Sequence, residues 1–121
     1  MKLYLAGPMR GYPEFNFPAF HEAAAKLRAA GYFVFSPAEN DIQKYGEGIQ
    51  NTMTGDELEA ETSVGFSLRK ALLDDMTFIC KHADGIALLP GWEQSKGATA
   101  ERALSIALGL KVAEVATYLG E

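Results

Sequence analysis

Apolar and polar positions along the chain fall into alternating short runs and helical stripes. "KLYLAG" is a brief apolar run stopped by Gly7-Pro8, the signature of a buried strand. In "FNFPAFHEAAAKLRAAG" the residues Phe20, Ala24, Leu27 and Ala30 recur at helical spacing; Asn16 is expected to cap the helix, Pro18 suits its first turn and Gly31 ends it. "YFVFSP" is rich in β-forming residues and Pro37 stops it, which makes it a second strand.

From Ala38 to about Ser67 the periodicity fades into polar, Gly-containing sequence, with one short helix suggested by the capping-box spacing of Thr54 and Glu57. A clearer helix follows in "LRKALLDDMTFICKHA", where Leu68, Leu72, Met76 and Ile79 form a stripe that also carries Asp75; Cys80 on it reads as a buried small hydrophobe. "DGIALLP" is the third strand. The loop "GWEQSKG" leads into the helix "ATAERALSIALG", with Ala103, Ile106 and Ala107 expected against the sheet and Gly109 as the stop. "LKVAEVATYL" reads as a last strand.

Strands alternating with helices imply an α/β architecture: a single Rossmann-like (flavodoxin-like) three-layer domain over residues 1–121, with a four- or five-stranded parallel sheet. In such folds ligands sit at the carboxyl ends of the strands near the switch in strand order, where Gly7 to Gly11 and Gly91 to Gly97 fall.

Charge and composition narrow the function. With 48% hydrophobic and 22% charged residues the chain is of globular type, and a net charge of −5 disfavours nucleic-acid polymers and anionic membranes while leaving room for one small anion. The single Cys80 makes no internal disulfide, no zinc-ligand spacing occurs, and no run is long enough for a signal-peptide core or a membrane span. A cytoplasmic protein without a metal or organic cofactor is the expectation.

Two loops carry the candidate binding groups. "AGPMRG", with Gly7, Met9, Arg10 and Gly11, offers backbone N–H groups and a guanidinium to a phosphate, or is a tight turn with a solvated arginine. In "GWEQSKGATAE", Ser95 and Gly97 precede a helix whose N-terminal dipole favours an anion; Ser95 is equally well a plain helix cap. Phe15, Phe17 and Trp92 are placed to sandwich a base or to pack on the core.

Three further residues are candidates for chemistry. Glu101, in the first or second turn of that helix, is expected to be kept ionised by the dipole, as a glycosyl-transfer nucleophile must be; an acidic residue there is also simply favourable. Asp75 faces partly inward, where burial raises a carboxyl toward the range of a general acid. Tyr4, on the first strand, points its hydroxyl at the crevice or merely packs.

With these residues in place, "YLAGPMRG", "DDMTFICKHADGIALLPGW" and "SKGATAERALSIALG" resemble the nucleoside 2-deoxyribosyltransferase-like family, which includes 2′-deoxynucleoside 5′-monophosphate N-glycosidases. The resemblance covers most of the chain but finds no motif between Ala38 and Ser67. It implies that Glu101 is the nucleophile, that Tyr4 orients it and that Asp75 assists the departing base. Transferases of free nucleosides tend to be acidic six positions before the glutamate, whereas the monophosphate glycosidases have serine; this chain has Ser95, which spares a phosphate the repulsion of a carboxylate. The implied activity is hydrolysis of a (deoxy)nucleoside 5′-monophosphate to free base and sugar 5-phosphate in a homo-oligomer, dimer or higher. A nucleoside 2-deoxyribosyltransferase and a non-catalytic nucleotide-binding or sensing module are the alternatives.

Overall fold

A computed structural model of the chain describes residues 1–46, 48–49 and 65–121. Four strands, β1 (Lys2–Ala6), β2 (Phe33–Phe35), β3 (Gly85–Leu88) and β4 (Lys111–Glu114), form an all-parallel sheet in the order β2-β1-β3-β4. The helices are α1 (Phe17–Ala29), α2 (Pro37–Tyr45), α3 (Leu68–Lys81), α4 (Lys96–Ala107) and the short α5 (Val115–Tyr118). This is the Rossmann-like three-layer domain expected, with four strands.

The pleat of β1 sorts its side chains between the two layers. Leu3 and Leu5, with Ala87 and Leu89, join the core built with Phe20, Ala24 and Leu27 of α1 and with Val115 and Tyr118 of α5. Tyr4 and Ala6, with Ile86 and Leu88, face the opposite way and pack with Phe78 and Ile79 of α3 and Ala98 of α4. The alternation therefore decides that Tyr4 meets α3 and α4. Its ring packs against the stacked pair Phe35 and Phe78, at centroid separations of 5.7 and 6.4 Å, which restricts the direction of its hydroxyl.

Several local expectations are corrected. The start of the segment from Ala38 is α2, a regular helix: Pro37 both stops the strand and occupies the first helical turn, where its missing N–H costs nothing. The chain after Glu114 leaves the sheet as α5, so the last strand is only four residues long. Asn16 does not cap α1; it is left-handed (φ 62°), and its side-chain amide donates to Pro8 O at 3.0 Å instead. On α4 the inward face is Ala98, Glu101 and Ser105, while Ala103, Ile106 and Ala107 are exposed. Cys80 is exposed as well. The Thr54 to Glu57 helix start lies outside the described residues.

Candidate functional site

The order of strands reverses between β1 and β3, because the chain steps from β1 outward to β2 and then returns to the other side of β1. The loops after these two strands diverge there and leave a crevice, in which a cavity of about 70 Å³ is found. Tyr4, Gly7, Met9, Arg10, Asp75, Ser95, Gly97 and Glu101 all line it, as does Phe15.

Each group is brought there by its element. Gly7 ends β1 where the chain passes so close to Leu89 that a Cβ would lie 2.7 Å from the Leu89 Cβ; only glycine fits. Ser95 is the cap of α4: its Oγ accepts from Ala98 N at 3.1 Å, satisfying one free N–H and leaving the hydroxyl hydrogen to donate elsewhere. Glu101 lies in the second turn of α4 and is 5% exposed; Tyr4, fully buried, donates its hydroxyl to Glu101 Oε2 at 2.6 Å. Asp75 projects from α3 into the same space at 6% exposure, and its Oδ1 has no hydrogen-bond partner among the described residues.

Burial governs the electrostatics. Loss of solvent, with the Asp75 charge second, pushes the Glu101 carboxyl well above its ordinary range, against the opposing pull of the Tyr4 hydrogen bond. Burial therefore opposes the charge that the helix dipole is expected to favour on Glu101. Burial likewise pushes Asp75 up to about 7, and burial together with the two carboxylates raises Tyr4 well above the usual phenol range. Tyr4 opposes the upward shift of both carboxyls, so its phenol stabilises whichever of them is charged.

Three of the expected binding residues lie away from the cavity. Phe17 is fully buried in the core, edge-on to His21, because α1 begins there and turns it under the sheet. Trp92 packs with the Tyr4-side core beneath the guanidinium of Arg102, 4.9 Å from its ring centroid. Gly11 supplies a left-handed turn (φ 85°) in the loop after β1.

Sequence reasoning missed Pro37 and Asp41 from α2, Ile49, and Phe66, Leu68, Ala71 and Leu72 near the start of α3, which also line the cavity. The only signal for Asp41 was its place one turn after Pro37, with nothing to show that it faces inward. A second cleft, bounded by Pro8, Arg10, Tyr12, Gln94, Ser95 and Lys96, shares Arg10 and Ser95 with the first. Among the described residues, no group of three or more His, Cys, Asp and Glu side chains is arranged to hold a metal ion, and no helix is long and apolar enough to cross a membrane.

A family model described as "Domain of unknown function (DUF4406)" matches residues 1–114, and the chain belongs to that family. No curated protein and no solved structure matches it.

Proposed function

We propose that the chain is an N-glycosidase that cleaves a (deoxy)nucleoside 5′-monophosphate into free base and sugar 5-phosphate. The observation that carries this reading is the Tyr4 hydroxyl on Glu101 Oε2 at 2.6 Å, in a buried cavity that also holds Asp75 and meets the Ser95 cap of α4. A carboxylate oriented by a phenol and paired with a second, proton-bearing carboxyl is suited to displacement at an anomeric carbon.

In the reactive state Asp75 holds the proton and Glu101 is ionised. Neutralising Asp75 removes the like charge that opposes Glu101, and Tyr4 supplies the remaining stabilisation. Glu101 attacks C1′ as the C1′–N bond breaks; the base leaves with the electron pair of that bond and takes the Asp75 proton. Water then attacks C1′ of the glycosyl ester, gives its proton back to Asp75 and restores the Glu101 carboxylate. Ser95, Gly97 and Arg10 hold the 5′-phosphate at the start of α4, where the helix dipole and backbone N–H groups favour an anion. Lys96, on the adjoining cleft, adds positive charge. No metal or organic cofactor enters these steps, and neither a nucleic-acid polymer nor a membrane is a partner in this reading.

The protein acts as a cytoplasmic homo-oligomer in this account. Leu73 of α3 and Ile106 of α4, 66% and 51% exposed, are the apolar side chains that support association.

Chromatography of free base tests the activity, with a panel of ribo- and deoxynucleosides and their 5′-monophosphates. Release from monophosphates alone is expected, reduced by about a thousandfold or more in Glu101→Ala. Release that is faster from free nucleosides and accelerated by a second base would instead identify a 2-deoxyribosyltransferase. Tight nucleotide binding with no base released, unchanged by Glu101→Gln, would identify a binding or sensing module.

A further inference from the structure

Of the three buried acids on the cavity wall among the described residues, Asp41 alone has no part in the chemistry described above. It projects from α2 at 5% exposure among Pro37, Phe15, Ile49 and Phe66. Lys44, one turn further along the same helix, forms its ion pair with Asp74, which Asn40 also contacts at 3.2 Å. A carboxyl buried beside apolar side chains and a second acid, Asp75, is costly to ionise, and a ligand group that pairs with it offsets that cost.

The topology indicates which part of a ligand it meets. Ser95 and Gly97 lie on the β3 side of the crevice, the loop after β1 lies between, and α2 follows the edge strand β2. A nucleotide with its phosphate at the start of α4 and C1′ at Glu101 directs its base across β1 toward α2. Phe15 and Phe66, stacked at 6.1 Å on the same wall, give that end the flat apolar surfaces a base requires.

We infer that Asp41 is a specificity-determining residue, whose carboxyl pairs with the ring nitrogen and adjacent exocyclic amine of an amino-bearing base of the cytosine or adenine type. The inference rests on the nucleotide N-glycosidase reading for the placement of phosphate and sugar. Burial, with Asp75 and Asp74 nearby, pushes the Asp41 carboxyl up to about 8, so at neutral pH it is mainly the neutral acid. That form presents one O–H donor and one C=O acceptor, the complement of a bare ring nitrogen beside an amine. A ring nitrogen basic enough to share the acid's proton makes the bond charge-assisted. The N–H and carbonyl of a deaminated base do not.

The test compares dCMP with dUMP and dAMP with dIMP, by base release in the intact protein and by calorimetric binding in a Glu101→Gln background. The amino-bearing member of at least one pair is expected to be preferred by about tenfold or more, and Asp41→Leu to bring that ratio within about threefold. Should Asp41→Leu fail to fold, the isosteric Asp41→Asn decides: its amide cannot give up a proton, so the ratio is expected to narrow by about threefold or more. Equal treatment of both members, preference for the deaminated base, or a ratio unaltered by the deciding variant overturns the inference. Binding that follows Asp41 while no base is released retains the recognition role and rejects the glycosidase reading, so the two failures are separate.

Discussion

Tyr4 and Glu101 are 97 positions apart in sequence and are joined by a buried hydrogen bond of 2.6 Å between the phenol and Oε2. The second turn of α4 is tied in this way to the central strand β1. Tyr4→Phe leaves a buried carboxyl oxygen without its donor, at a cost of about 1–3 kcal/mol in stability. It also removes the hydrogen bond that lowers the Glu101 pKa. The ascending limb of the pH–rate profile is therefore expected to move to higher pH, together with a fall in kcat; a variant that lost stability with an unmoved profile would make Tyr4 purely structural.

Stability itself should depend on pH in an unusual direction. Asp75 and Asp41 titrate near 4 when unfolded but at about 7 and about 8 when folded, so the folded state binds more protons between those values. Their contribution is fully present below about pH 4 and is lost as pH rises toward 8. Glu39, held down by Arg28, and Asp74, held down by Lys44, act in the opposite sense only in more acidic solution. Melting temperature is expected to decline from about pH 5 to pH 8, and Asp75→Asn to flatten that slope. An equally steep decline in Asp75→Asn would contradict the assignment.

Ser95→Ala separates the two uses of one hydroxyl. Loss of the cap on α4 costs about 1 kcal/mol. If the same hydroxyl also donates to a phosphate, KM for a 5′-monophosphate rises about tenfold with kcat little changed, while any turnover of the free nucleoside is unaffected. Equal effects on both substrates would leave Ser95 a cap and nothing more.

Gly7→Ala is expected to disturb the site from its floor. The added methyl meets the Leu89 Cβ, so the strand end or Leu89 must shift, at a cost of about 1–3 kcal/mol. Gly7 also lines the cavity, so activity should fall by more than the folded fraction does, measured by comparing thermal melts with base release under the same conditions.

The fold was legible in the sequence wherever the local signal and the tertiary role coincided. The strands beginning at Lys2, Phe33 and Gly85 are apolar because both faces of a parallel sheet are covered, and Gly7-Pro8 and Pro37 mark their ends. Reading failed where a pattern served the crevice instead of the core. On α4 the small and polar face, Ala98, Glu101 and Ser105, points inward, and the more apolar Ile106 is left outside. The start of α2 is masked in sequence because its inward positions include Asp41, whose burial no periodicity reveals.

Among the candidate site residues, Tyr4, Ser95 and Glu101 were singled out from side-chain type and position on a strand or near a helix start, Asp75 from its place on the apolar stripe of α3, and the structure brings all four to one cavity. Phe17 and Trp92 were not distinguishable from base-stacking aromatics, since a ring in a loop signals neither face. The charge state of Glu101 was beyond sequence reading for another reason. A helix dipole is a local property, whereas burial and the neighbouring Asp75, which both push the Glu101 carboxyl up, are tertiary ones.

The most direct measurement is mass spectrometry of the protein quenched during turnover of a deoxynucleoside 5′-monophosphate, followed by peptide mapping. The account predicts one sugar phosphate esterified to the peptide containing Glu101, absent in Glu101→Gln and formed at the rate of base release. Free base produced at an undiminished rate by Glu101→Gln, or an adduct on another residue, would contradict it.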